Sequence, residues 1–215
     1  MDTIKAIILD MFAGRTDTTS SVLEWAMTEL LRHPKVMKTL QEEVRKFQKQ
    51  DFLKEEDLVT MLYLKAVIKE TMRLHPPIPL MVPRESRQAV KLMGYDIAAG
   101  MRVFVNAWAI GRDPGSWEEA EEFRPERFIE NDNEEGMGQG YKFIQFGADR
   151  RGCPGIGFAM PVEEIALANL VCKFDWKLPG EGRTEDLDMF ETNGLTIHRK
   201  YPLIALASPY DHLAM

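Results

Sequence analysis

The ten residues Phe146–Gly155, FGADRRGCPG, constrain this chain more than any other stretch. They set Cys153 between a turn-rich loop, Phe146-Gly147-Ala148-Asp149, and a helix start at Pro154-Gly155. Pro154 suits the first helical position, where a missing N–H is no loss. The apolar, helix-prone run Ile156–Val171 follows. A thiol just ahead of a helix N-terminus feels loose N–H donors and the positive end of the helix dipole. Arg150 and Arg151 add two fixed cations. All three effects favour thiolate over thiol. Two kinds of cysteine fit such a loop. One is a buried structural thiol, packing as a small hydrophobe. The other is a thiolate ligand for a cationic metal centre that carries carboxylates of its own.

Charge and cysteine usage narrow the function classes. Across 215 residues, 27 Lys and Arg face 34 Asp and Glu, a net charge of −7. That balance argues against a nucleic-acid surface. Two cysteines, Cys153 and Cys172, make no disulfide framework and fit a reducing compartment. No apolar run reaches the ~18 residues that a transmembrane helix needs. The opening MDTIKAIILDMF is too polar at Asp2, Lys5 and Asp10 for a signal peptide.

Helical periodicity dominates the first third. Thr3 to Arg32 reads as one long helix, with Ile4, Ile7, Ile8, Met11 and Phe12, then Leu23, Ala26, Met27, Leu30 and Leu31, at helical spacing. Its centre, Ala13-Gly14-Arg15-Thr16-Asp17-Thr18-Thr19-Ser20, is weak, because Gly costs backbone entropy and hydroxyls compete for backbone bonds. Such a centre is either a hydroxyl stripe facing solvent or a functional interruption. Pro34 opens a second helix, Glu55–Thr60 reads as a short one, and Leu62–His75 as a firmer one ending at Pro76-Pro77. Glu70 and Arg73 lie three apart on that helix, hence on one face, a spacing shared by many surface ion pairs.

Short β signals follow at Leu80–Val82, Val90–Leu92 and Val103–Asn106, with a helical turn at Trp108–Arg112. Glu118–Glu122 reads as a solvated acidic face, and Asn131–Gly140 as a surface loop. After the cysteine, a helix over about Gly155–Val171 contains Pro161, which costs about 3 kcal/mol in a helix interior and less in the first turns. Phe174–Leu178, Leu195–Arg199 and Leu203–Leu206 read as terminal strands, with a frayed tail from Ser208. Cys172 and His198 have no metal-ligand spacing and read as structural.

Four stretches together resemble the cytochrome P450 family. Phe146, Arg151, Cys153 and Gly155 match the haem-thiolate signature Phe-x-x-Gly-x-Arg-x-Cys-x-Gly, and Asp17-Thr18 fall on the acid–alcohol pair of the distal helix. KETMRLHPP resembles the segment with the Glu-x-x-Arg pair, and FRPERF the Pro-Glu-Arg-Phe stretch. VNAWAIGRDP and FDWKLP look like plant microsomal members of the 71 type. The resemblance implies a mainly α fold with small β-sheets. Residues 1–215 would form the C-terminal portion of the P450 domain, from distal helix through haem-binding loop to proximal helix, with the N-terminal half absent.

The resemblance also implies chemistry. Cys153 would ligate the iron of haem b, with Phe146 and Gly155 shaping the cofactor loop and Arg151 and Arg84 facing its propionates. Thiolate ligation favours O–O cleavage. Asp17 and Thr18 would be the catalytic proton-delivery pair. Glu70, Arg73 and Arg127 would form a structural network on the proximal side. The activity implied is a monooxygenase that inserts oxygen into a small lipophilic substrate, using dioxygen and electrons from NADPH-cytochrome P450 reductase. The alternative is a non-catalytic truncated remnant. Family members sit on the endoplasmic reticulum membrane; this chain, lacking the anchor, would be cytoplasmic if expressed alone. Four residues depart from the family pattern: Arg15 at a distal-helix glycine, Gln145 at a proline, Asp149 at the haem-loop glycine, and Pro161 in the proximal helix.

Overall fold

A computed structural model describes residues 2–47, 52–130, 140–180, 184 and 187–210. The polar segment at 48–51, nearly all of the loop expected over Asn131–Gly140, and the last five residues lie outside the described residues.

The periodic apolar runs become four packed helices. α1 spans Asp2–Arg32, α2 Pro34–Val44 and α3 Leu62–Leu74; the helix after the cysteine, α6, spans Ile156–Lys173. Between α3 and α6 lie the short helices α4 (Ala107–Gly111) and α5 (Arg127–Glu130). A 3₁₀ turn at Glu55–Thr60 leads into α3. Leu30, Leu40, Leu64, Ile68 and Leu167 interlock where α1, α2, α3 and α6 meet, each fully buried. Burial of side chains this size stabilises by about 1.5–3 kcal/mol each.

Only the second half of α1 enters this core. Its buried residues begin at Ser21. The first half exposes Ile4, Ile8, Met11 and Phe12. The weak centre stays helical: the Thr18 hydroxyl donates to Gly14 O at 2.9 Å and the Ser20 hydroxyl to Asp17 O at 3.1 Å. The competing hydroxyls thus spend their protons on the helix's own carbonyls. Pro161 likewise sits inside α6 without ending it.

The strands form three separate two-stranded antiparallel sheets. β1 (Arg84–Glu85) pairs with β4 (Arg102–Val103), and β2 (Val90–Leu92) with β3 (Tyr95–Ile97). β5 (Phe174–Lys177) pairs with β6 (Leu206–Pro209). Four strand expectations are corrected. Val103–Asn106 is strand only at Val103, the end of β4. Leu80–Val82 is a turn, with Met81 N bonded to Ile78 O and Met81 at φ 55°. Leu195–Arg199 contributes only a single bridge, Arg199 to Glu191. The last strand is shifted toward the C-terminus, so Ser208 pairs with Asp175 rather than fraying. Among the described residues, no helix is long and apolar enough to cross a membrane. The architecture is mainly α with small sheets.

Candidate functional site

The loop before α6 is built by its backbone. Gly147 N donates to Ile144 O at 2.7 Å, Gly152 N to Asp149 O at 2.9 Å, and Cys153 N to Phe146 O at 2.7 Å. The last bond closes the loop on itself and leaves the Cys153 thiol exposed at its tip. That exposure removes the reading of Cys153 as a buried packing residue. Gly147 takes φ 75°, and a Cβ there would stand 3.4 Å from Met81 Cε and 3.5 Å from Arg151 O. Those are ordinary contacts, so it is the left-handed backbone rather than space that calls for glycine here. Asp149 is also left-handed, at φ 56°, which short Asp side chains tolerate better than most. Gly155 caps α6 without a side chain, and a Cβ there would lie 3.7 Å from Cys153 Sγ.

Gln145, at the root of this loop, holds both polar atoms of its side-chain amide buried without a partner. Unpaired buried polar atoms cost about 1–3 kcal/mol. Phe146 is half-buried against the core, while Arg151 is exposed. Arg84 is exposed on β1, opposite Val103. Asp17 is exposed and Thr18 half-buried, one turn apart from the Gly14 carbonyl that holds the Thr18 hydroxyl. The Arg15 guanidinium carbon stands 3.4 Å from the centre of the Phe158 ring, so this turn of α1 touches the first turn of α6.

The fold brings Glu70, Arg73 and Arg127 together. Glu70 Oε2 accepts from Arg73 Nε at 2.7 Å; Oε1 accepts from Arg73 Nη2 at 2.8 Å, Arg127 Nε at 3.1 Å and Arg124 N at 2.7 Å. Arg73 Nη1 donates to Gly111 O at 2.5 Å and Ala120 O at 2.6 Å, and Nη2 also reaches Glu122 O at 2.9 Å. All five guanidinium N–H groups are thus placed. The acidic run does expose Glu118, Glu119 and Glu121, but its backbone carbonyls turn inward to Arg73 and Arg127. Side-chain spacing shows the exposed half of that arrangement only.

A second buried polar group has no sequence signature. Glu29 on α1 accepts from His75 Nε2 at 2.7 Å and lies 3.2 Å from His33 Nδ1, while the His75 ring stacks on Trp25 at 3.9 Å. Burial works to raise the Glu29 pKa; hydrogen bonds from His33 and His75 and the charges of His75 and Arg32 outweigh it and hold it at about 2. The matching bond from Glu29 raises His33. Glu29 and His33 stand one turn apart, but His75 comes from a separate stretch, so no local spacing announces its place in the group.

The arrangement offers one exposed soft donor on a closed loop, with arginines nearby and a half-buried alcohol on the facing helix. An exposed cysteine sulfur on a glycine-containing loop fits a soft metal centre, and the exposed arginines fit carboxylates carried with it.

Comparison with known proteins gives the same outline. A family model described as Cytochrome P450 matches residues 1–205. Cytochrome P450 736A117 of Prunus mume is 61% identical over 209 residues, covering 96% of this chain and 40% of that relative. Cytochrome P450 71A1 of Persea americana is 57% identical over 205 residues, covering 95% of this chain and 41% of that relative. A solved zebra fish cytochrome P450 with abiraterone superposes with a TM-score of 0.83 at 28% identity, covering 95% of this chain and 46% of that one. The chain thus spans about two fifths of the length of the curated relatives it matches.

Proposed function

Because the chain belongs to the cytochrome P450 family, we propose that it carries the haem-thiolate half of a monooxygenase. In this reading Cys153 is the iron ligand, Phe146, Gly147 and Gly155 form its cradle, and Arg151 and Arg84 meet the carboxylates of haem b. The observation that supports it most is the exposed thiol of Cys153, held at the tip of a loop closed by its own N–H bond to Phe146 O.

Bound haem supplies activation of dioxygen and oxygen insertion into a lipophilic substrate, with electrons from NADPH-cytochrome P450 reductase. The chain's own residues supply ligation and proton handling. Asp17, exposed on α1, takes protons from water at its carboxylate. Thr18 presents a hydroxyl whose proton now points to Gly14 O at 2.9 Å. To pass that proton on, the Thr18 hydroxyl turns away from Gly14 O by rotation about its Cβ–Oγ1 bond. Glu70, Arg73 and Arg127 play no chemical part; they fix the chain around the site. Placement on the endoplasmic reticulum membrane belongs to the same proposal.

The test is a reduced, carbon-monoxide-bound difference spectrum of the chain reconstituted with haem. The red-shifted Soret band of thiolate ligation is expected, and Cys153→Ala should abolish it. An unchanged band in the variant, or no haem signal from soluble wild-type protein, would reject the proposal.

A further inference from the structure

Arg15 is an exposed cation on α1 that rests on an aromatic ring of α6. Its guanidinium lies flat enough on the Phe158 ring to bring Cζ within 3.4 Å of the ring centre. Among the described residues it makes no hydrogen bond or ion pair, and the ring contact is what holds it. A guanidinium stacked in this way keeps its in-plane N–H edge free, the edge that matches a carboxylate with two parallel hydrogen bonds. The carboxylates on the same helix do not compete for it. Asp17 and Asp10 stand two residues after and five before it, off its face at 100° per residue.

What shares that face is apolar. Ile8, Met11 and Phe12 lie seven, four and three residues before Arg15, and they are 49%, 59% and 69% exposed. Thr18 lies three residues after it, half-buried. Along one side of α1 the order is therefore an exposed apolar stripe, an unpaired cation held on an aromatic ring, and the alcohol of the proposed proton pair. The same turn rests on the first turn of α6, which starts directly after the Cys153 loop.

From this order we infer that Arg15 selects the substrate: the site takes a lipophilic carboxylic acid, its carboxylate paired with the Arg15 guanidinium and its apolar body along Ile8, Met11 and Phe12. The inference rests on the monooxygenase reading for what happens to the acid, but the pairing itself needs only Arg15 and Phe158. Phe158 is a positioning residue; it holds the guanidinium and touches no acid group. A neutral lipophile of the same length keeps the apolar contacts and loses the pair.

The experiment is calorimetric titration of the haem-reconstituted chain with decanoate and with decanol. Wild type should bind decanoate at least about tenfold more tightly than decanol, the factor that about 1.4 kcal/mol of charge-assisted pairing supplies. Arg15→Gln should bring the two probes level by weakening decanoate alone, and Phe158→Leu should weaken decanoate in the same direction by less. Equal binding of both probes to wild type overturns the inference. So does a preference that survives in Arg15→Gln, or an equal loss of both probes there, since a charge anchor acts only on the acid. The carbon-monoxide spectrum reports separately on Cys153. A thiolate band without decanoate preference ends the Arg15 inference alone; decanoate preference without the band ends the haem reading alone.

Discussion

Glu70 and Arg73 face each other as a fork, with Nε to Oε2 at 2.7 Å and Nη2 to Oε1 at 2.8 Å, and neither side chain reaches solvent. Removing one member of a buried pair leaves the other charge uncompensated, which costs about 3–5 kcal/mol. Here Arg127 and Arg124 N lean on the same carboxylate. Glu70→Gln keeps the shape and loses the charge, so it should destabilise the chain by at least that amount. Urea unfolding measures it; a midpoint within error of wild type would refute the account.

Gly111 lies at the end of α4 with its α-carbon against Arg73. A Cβ there would stand 2.5 Å from the Arg73 carbonyl oxygen, a backbone atom that cannot rotate away. Gly111→Ala should therefore cost about 1–3 kcal/mol through overpacking, despite alanine's better helix propensity. Gly157→Ala, where a Cβ meets nothing within 4 Å, is the control and should leave the thermal midpoint unchanged or raised. If both substitutions behave alike, the close approach at Gly111 has no energetic weight.

Glu163 is almost fully buried on α6, with Oε2 lacking any partner. Burial first, and the neighbouring charge of Glu164 second, push its pKa from 4.5 up to about 8. The unfolded chain releases this proton above pH 4.5 while the folded chain keeps it. Stability should then fall as pH rises from 4.5 to about 8 and level off beyond, by on the order of 4 kcal/mol for this group. Glu163→Gln cannot ionise and should flatten that decline. The comparison is the urea midpoint at pH 5 and pH 8 in both proteins, and an equal drop in the two would count against the buried acid.

Much of the helical frame was legible because periodicity and proline punctuation act locally. Thr3–Arg32 and Leu62–His75 are found within one residue of α1 and α3, since Pro34 and Pro76 mark chain positions that no packing can alter. Leu80–Val82 failed as a strand because three β-formers say nothing of the Ile78–Met81 turn that Gly147 packs against. The positions of Cys153, Asp17 and Thr18 follow from motifs, but the seating of Arg15 on Phe158 joins residues 143 apart in sequence (158 minus 15) and leaves no local trace. Glu29 with His75, and the lone Glu163, escaped for the same reason. Their meaning lies in what surrounds them, and polarity patterns assign such residues to the surface.

The stretch from Gly111 to Arg127 contains no sheet, yet it is ordered. Its carbonyls at 111, 118, 119, 120 and 122 are held by the guanidinium groups of Arg73 and Arg127 in place of a backbone ladder. Its rigidity is thus borrowed from α3 and α5. Segments bound in this way open together as one cooperative unit. A protease probing this stretch would report on whether α3 and α5 are intact, and the stretch would loosen in one step rather than residue by residue.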